Sequence, residues 1–334
     1  MSTHQVNIVE IEEIIQHDNA ENLEIVKVFG WQCCIKKGQF KPKDRAIYIE
    51  PDYNVPTSRP EFSFLKKEGQ NFERIKVRKF RGKVSAGLLI SVPPDLSDKP
   101  VGYNAINDLG IERYEPPMPK STYGNFVKAP FGLYSPKFDI ENYQRYNHVF
   151  NSNEEVIVTE KIHGSNSRMV WAKNDDTGEF EQFCGSRTNW MQKDEKNIWW
   201  MALKQNPSIA EWCKANPETV LYGEAFGQVK NLKYGAGKND IFFAAFAAIK
   251  KNIWMNYDDM VLSLKIHGVP VAPMLYRGPL DEEKINELAE RDSSWPKANH
   301  MSEGVVILPV VEREHPEIGR VCLKRVSNRY LEKS

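Results

Sequence analysis

The stretch Glu155-Val156-Ile157-Val158-Thr159-Glu160-Lys161-Ile162-His163-Gly164-Ser165-Asn166 decides how the chain is read. Its first five residues have the β-branched alternation of a strand, and Gly164 allows the backbone to turn sharply where a phosphate can approach. Lys161 is therefore expected at the end of a strand, beside a turn. A lysine there is a candidate covalent nucleophile. It attacks phosphorus only as the neutral amine, so its pKa of about 10.4 must be brought down by desolvation or by a nearby cation, including a metal. Taken alone, Lys-x-His-Gly describes a solvated lysine beside a turn glycine just as well.

The order of the segments downstream separates the two readings. Gly185-Ser186-Arg187-Thr188 is followed by Leu221-Tyr222-Gly223-Glu224-Ala225-Phe226-Gly227 and by Phe243-Ala244-Ala245-Phe246. Ser302-Glu303-Gly304-Val305-Val306-Ile307 and Val321-Cys322-Leu323-Lys324-Arg325 come last. With the lysine segment, these resemble motifs I, Ia, III, IIIa, IV and V of the covalent nucleotidyltransferases, the ATP-dependent RNA and DNA ligases and mRNA capping enzymes, in that order. The resemblance spans roughly residues 139 to 334. His163 stands where DNA ligases and capping enzymes usually carry Asp, so the segment is most similar to RNA ligases.

Composition fits an ordinary intracellular globular protein. A chain of 334 residues that is 41% hydrophobic and 27% charged can bury more than one core, and its length favours two domains. Cys33, Cys34, Cys184, Cys213 and Cys322 show no Cys-x-x-Cys spacing and are expected to be reduced thiols in a reducing, cytoplasmic compartment. Cys33 and Cys34 are adjacent in a strand-like run, which points them to opposite faces. No apolar stretch approaches the roughly 18 residues of a membrane span, and no signal peptide is indicated. Net charge is zero, so a nucleic-acid binder of this composition must concentrate its cations locally.

That concentration is clearest at Lys66-Lys67 and at Arg74, Lys76, Arg78, Lys79, Arg81 and Lys83, set against only Glu68 and Glu73. From Arg74 onward the charges alternate with Ile75, Val77 and Phe80 before Gly82, which suits a half-buried strand or hairpin with a cationic face. Such a face either tracks a phosphate backbone or merely protects a sheet edge. Around it, the first hundred residues read as short strands, Leu23–Val28, Ala46–Glu50 and Gly87–Ile90 among them, at the spacing of a small β-barrel. An OB-like barrel is expected. Tyr48-Ile49-Glu50-Pro51-Asp52 and Lys76-Val77-Arg78-Lys79-Phe80-Arg81-Gly82-Lys83 also resemble the N-terminal module of the Deinococcus-type, fifth-family RNA ligases. Glu115-Pro116-Pro117-Met118-Pro119 reads as an extended linker, which sets domains at 1–120 and 121–334.

The chemistry follows from residue types. Attack of Lys161 on the α-phosphorus of ATP throws charge onto phosphate oxygens, which cations must meet. Arg187 offers a bidentate guanidinium and Lys324 a point charge, and the resemblance implies that both contact phosphate. Glu224 and Glu303 are hard oxygen ligands suited to Mg²⁺ or Mn²⁺. Phe246 and Val306 could sandwich adenine. The resemblance further implies nucleotide contacts from Glu160, at the adenine edge, from Ile162 and from Asn166, at the ribose or the end being joined, with His163 serving AMP transfer. Phe138, Asp139 and Arg145 resemble the segment lining the phosphate side of the pocket, although Asp139 could equally be a helix cap. A helix is expected over 280–291, where Ile285, Leu288 and Ala289 recur behind an acidic start.

Two departures from the pattern stand out. Val326 occupies the place of motif V's second basic residue; Arg325 or Arg329 is left to substitute, and strand alternation points Arg325 away from Lys324. With the sequence given ending at Ser334, no C-terminal OB domain is expected. The resemblance implies a monomeric, ATP-dependent RNA ligase of mixed α+β fold, with an ATP-grasp-like nucleotidyltransferase domain, that joins 3′-hydroxyl and 5′-phosphate ends in RNA repair at nicks. A GTP-using capping guanylyltransferase and a noncatalytic RNA-binding protein on a ligase fold are the alternatives.

Overall fold

In the computed structural model, described over residues 5–114, 125–130 and 132–333, the chain divides into two compact units. The larger contains residues 125–330, the smaller residues 5–114 with 331–333. The Glu115–Thr122 stretch, where the sequence places its boundary, lies outside the described residues. No helix among the described residues is long and apolar enough to cross a membrane.

The larger unit is built on two sheets. Seven antiparallel strands run in the order Phe126–Val127, Trp190–Met191, Phe180–Gly185, Ser165–Lys173, Thr219–Gly227, Ile241–Lys250 and Ile253–Trp254. One face of this sheet carries Met169, Leu221 and Phe243, and on it pack Trp199 of the helix Ile198–Gln205 and Ile209 and Trp212 of the helix Ser208–Ala215. Residues paired across antiparallel strands share a face, so Asn166, Glu224 and Ala244, which lie opposite one another, look out from the other side.

The second sheet has the order Glu141–Asn142, Leu323–Val326, Gly304–Pro309, Glu155–Glu160 and Met274–Pro279, with only the first pair parallel. Period-two alternation divides its residues. Val156, Val158, Val305, Ile307 and Leu323 point to one side and are covered by Tyr143, Tyr146, Ile285 and Leu288. Ile157, Val306 and Leu308 point to the other and join the main core. The expected helix forms over Glu282–Ala289, two turns that present Ile285, Leu288 and Ala289 to this sheet. Its cap is Asp281, whose carboxylate accepts from the Lys284 amide at 3.0 Å.

Among the described residues, the regular elements of the smaller unit are strands and two 3₁₀ turns. Three sheets of three strands form: Asn7–Glu10, Arg45–Ile49 and Leu88–Ser91; Ile14–Gln16, Leu23–Val28 and Trp31–Lys36; and Glu112–Arg113, Tyr53–Pro56 and Phe72–Arg74. The short-strand expectation is met, but hydrogen bonding does not close these strands into one barrel among the described residues. That corrects the expected closure. Hydrophobic packing holds the unit together through two cores, one around Ile8, Ile47 and Phe62 and one around Val26, Trp31 and Tyr48. Cys33 is buried and Cys34 half-exposed, as alternation requires, and all five cysteines are free.

Candidate active site

Lys161 follows directly on the strand Glu155–Glu160, and its amide donates to the Gly304 carbonyl at 2.9 Å, which ties it to the neighbouring strand. Alternation from Ile157 and Thr159 aims its side chain at the main-core side of the sheet, the side that also carries Val306 and Lys324. There its ammonium pairs with Glu303 at 2.8 Å. The second oxygen of Glu303 lies 3.2 Å from Nδ1 of His163. Glu224, looking out from the seven-stranded sheet, supplies the other negative charge acting on Lys161.

Two glycines make this approach of backbones possible. A Cβ on Gly164 would lie 2.3 Å from the Ala225 carbonyl oxygen, and one on Gly304 would lie 2.2 Å from that of Arg325. Neither position has room for a side chain, and Gly304 also has φ of +148°. The Gly164 backbone lies beside the Glu224 carboxylate and lowers its proton affinity.

The electrostatics depart from the sequence expectation. Burial pulls the Lys161 pKa down, but Glu303 and Glu224 outweigh it, and the net shift is upward from the ordinary lysine value. Desolvation alone therefore does not supply the neutral amine, which leaves a cation that competes for these two carboxylates as the means to it. Burial pushes Glu224 up to about 8, an effect that Lys161 only partly opposes. Glu303, although buried as well, is held well below the usual carboxylate range by Lys161 and His163. The two acids thus have unequal environments within one charged cluster.

Among the described residues no group of three or more His, Cys, Asp or Glu forms a metal cage. Two carboxylates around one lysine nevertheless suit a Mg²⁺-like ion, which is held by one or two carboxylates and completes its shell with water and substrate phosphate oxygens. Asn166 adds a second sign of fit to a ligand: its Oδ1 is buried with no hydrogen-bond partner among the described residues, while its carbonyl accepts from Trp199 Nε1 at 2.9 Å. A buried acceptor with no donor is costly by itself and is suited to a ligand hydroxyl.

The other expected residues fall in distinct places. Arg187, on the turn after Phe180–Gly185, donates to Asp139 at 2.7 Å, so the segment before the nucleophile strand and motif Ia meet. Asp139 caps no helix; the next one begins at Tyr143 behind Asn142. Lys324 lies opposite Val306 and beside Asn142. Arg325 points the other way, with Val305, and is buried, so it does not stand in for a second motif V base. Arg329 is held by Asp292 at 2.9 Å. Phe246 is the extra residue of a β-bulge, where Tyr222 pairs with Ala247 but Gly223 with Ala245. Its ring lies 4.7 Å from that of Phe138 and packs on the cluster containing Ile162 and Ala244. Glu160 is buried, and burial raises its pKa; its carboxylate accepts from the Ser293 hydroxyl and the Ser294 amide.

Three residues that sequence reasoning missed surround His163. Its amide donates to the Tyr234 hydroxyl at 2.7 Å, its Nε2 faces Asn231 Oδ1 at 2.7 Å, and its Nδ1 lies 3.3 Å from the Tyr330 hydroxyl. All are 68 or more positions away in the chain, and no local pattern marks them.

In the smaller unit the basic stretch forms the hairpin Arg78–Phe80 and Lys83–Ser85, turned by Arg81 and Gly82, both at positive φ. Its cations are largely matched. Arg74 donates to Asp52 at 2.9 Å, Arg78 lies 3.9 Å from Glu73, Lys79 3.0 Å from Glu332 and Lys83 2.8 Å from Asp18. Lys76 and Arg81 have no ion pair among the described residues.

Residues 154–326, just over half of the chain, match the family model for RNA ligases, and residues 5–92 match one for an OB-fold domain. No curated protein matches this chain. Among solved structures, a lysine-to-alanine mutant of Naegleria gruberi RNA ligase with ATP and Mn is similar at 25% identity and a TM-score of 0.84, covering 99% of both chains. The same ligase with PPi is 26% identical at a TM-score of 0.82, again over 99% of both. A lysine-to-methionine mutant with AMP and Mn, 25% identical at 0.83, covers 99% of this chain and 98% of its own.

Proposed function

The chain belongs to the RNA ligase family, and from that premise we propose that it seals RNA through a lysine–AMP intermediate formed on Lys161. The observation that carries this reading is the cluster itself: a lysine at a strand end, paired to Glu303 at 2.8 Å, with Glu224 acting on it and His163 beside the second oxygen of Glu303. ATP is the proposed nucleotide and Mg²⁺ or Mn²⁺ the metal; the similar Naegleria ligase was solved with ATP and Mn.

In the first step the Lys161 ammonium loses one proton, its nitrogen lone pair bonds to the α-phosphorus as the bond to the β-phosphate oxygen breaks and pyrophosphate leaves, and the nitrogen sheds a second proton while keeping one in the phosphoramidate. Glu224 and Glu303 would hold the divalent ion, which supplies positive charge to the phosphate oxygens and competes with Lys161 for the carboxylates that keep it protonated. Arg187, oriented by Asp139, and Lys324 meet the phosphates. Asn166 offers its unpaired oxygen to the ribose. Phe246, Val306, Ile162 and Glu160 form the base site, with Glu160 held in place by Ser293 and Ser294. AMP then moves from Lys161 to a 5′-phosphate, assisted by His163, and a 3′-hydroxyl finally attacks that phosphate and releases AMP. Repair of nicked RNA, the Deinococcus-type branch, monomeric behaviour and the division of labour between residues 1–120 and 121–334 belong to the same proposal.

A panel of nicked duplexes with RNA, DNA or mixed strands tests it directly. With ATP and Mn²⁺, at least the nick with RNA strands should be sealed, with transient 5′-adenylylated strand. Neither product on any member of the panel would overturn the reading.

The hairpin can be tested separately. Changing Arg78, Lys79 and Arg81 to Glu should weaken RNA binding and reduce the slope of log affinity against log salt by about one to three, since each lost phosphate contact releases about 0.9 fewer counterions. The ion pairs of Arg78 and Lys79 put the expectation toward the lower end. An unchanged slope would remove this face from the RNA path.

A further inference from the structure

We propose that Tyr330 is a positioning residue that fixes the His163 imidazole beside Glu303, an inference that rests on the lysine–AMP reading. The chain after the strand Leu323–Val326 is held on the site by a dense set of bonds. The Ser327 amide donates to the Glu303 backbone carbonyl at 2.9 Å. The Glu290 carboxylate then accepts from the Ser327 hydroxyl at 3.0 Å and from the amides of Asn328 and Arg329 at 2.8 and 3.3 Å. Arg329 returns bonds to the Glu290 carbonyl at 2.8 Å and to Asp292 at 2.9 Å. The next residue is Tyr330, whose amide lies 3.3 Å from the Ser327 hydroxyl.

This scaffold brings the Tyr330 ring to 5.2 Å from that of His163, inclined by 59°, with its hydroxyl 3.3 Å from Nδ1. His163 needs such support. Asn231 fixes its Nε2 end at 2.7 Å, but at the Nδ1 end Glu303 is shared with Lys161. Once Lys161 carries AMP, its ion pair to Glu303 is gone, and the carboxylate is no longer held from that side. Tyr330 is the neighbour of Nδ1 whose own anchorage, through Ser327 and Glu290, does not involve Lys161. Ring contact restrains the tilt of the imidazole and the hydroxyl restrains its rotation. Placement within a few tenths of an ångström is what catalytic groups require.

The test is a double-mutant cycle on the full chain, reading the single-turnover rate of AMP transfer from the adenylylated protein to a 5′-phosphorylated nick. Tyr330→Phe keeps the ring and removes only the hydroxyl. It should slow transfer about fivefold to tenfold in the wild-type background, the size expected for one hydrogen bond. In a His163→Ala background the same change should alter the rate by less than about twofold. Thermal melting of Tyr330→Phe should match the parent, which sets aside a folding defect, and Tyr330→Ala should be slower still through loss of the ring. Equal fractional losses in both backgrounds, or wild-type transfer by Tyr330→Phe, would overturn the positioning role. A wild-type chain that forms no lysine adduct would instead sink the reading beneath it.

Discussion

Lys161→Ala is expected to abolish covalent labelling of the protein by ATP carrying label in the α-phosphate. The wild type should become labelled through an acid-labile phosphoramidate that survives denaturation, and no other lysine should replace it. The reason is geometric. Lys161 is placed by a strand end, by the hydrogen bond from its amide to the Gly304 carbonyl and by Glu303 at 2.8 Å, whereas Lys324, the motif V lysine proposed to contact phosphate, lies within a different strand, Leu323–Val326. Loss of the nucleophile leaves no alternative route to the adduct, so the effect is loss of signal and not a partial decrease. An adduct on Lys161→Ala, or stronger labelling from GTP than from ATP, would refute the assignment.

Glu224→Ala and Glu303→Ala should each reduce the rate of adenylylation roughly a hundredfold, about 3 kcal/mol, the usual cost of one preorganised charged contact at a reacting centre. The two substitutions remove different things. Glu303 bonds Lys161 with one oxygen and approaches His163 with the other, so its loss frees two side chains of the proposed site at once. Glu224 acts on Lys161 from the opposing sheet, and its loss removes a charge without releasing His163. AMP transfer measured on preformed adduct should therefore suffer more in Glu303→Ala than in Glu224→Ala. Near-normal adenylylation in both would show that the carboxylates have no part in metal support.

Much of the local structure around the candidate site was legible because it is written in short segments with local meaning. The β-branched run before Lys161 does form a strand, Gly164 does stand where no side chain fits, and the acidic start at Asp281 does cap a helix. Alternation placed Arg325 on the face away from Lys324, as the cross-strand register bears out. That the strands of the OB-like unit do not close into one barrel among the described residues was not legible, because strand spacing tells which residues extend but not which hydrogen-bond partners they choose. Nor was the fate of the basic hairpin. Asp18, Asp52 and Glu332 are far from it in sequence, and only folding brings them against Lys83, Arg74 and Lys79.

The sequence by itself pointed to the RNA ligase family and to the lysine and carboxylates proposed as its chemical centre, since these depend on residue type and on order along the chain. Only the tertiary structure decided the state of that lysine. Its proton affinity is a sum over neighbours, and Glu303, 142 positions away, and Glu224, on another sheet, act on it through distances of a few ångströms that chain separation does not encode. The same holds for His163, whose partners Asn231, Tyr234 and Tyr330 are brought to it by two sheets and a terminal turn. Electrostatics and hydrogen bonding act through space and fall off steeply with distance, so the environment of a site is settled by packing even where its residues are announced by the sequence.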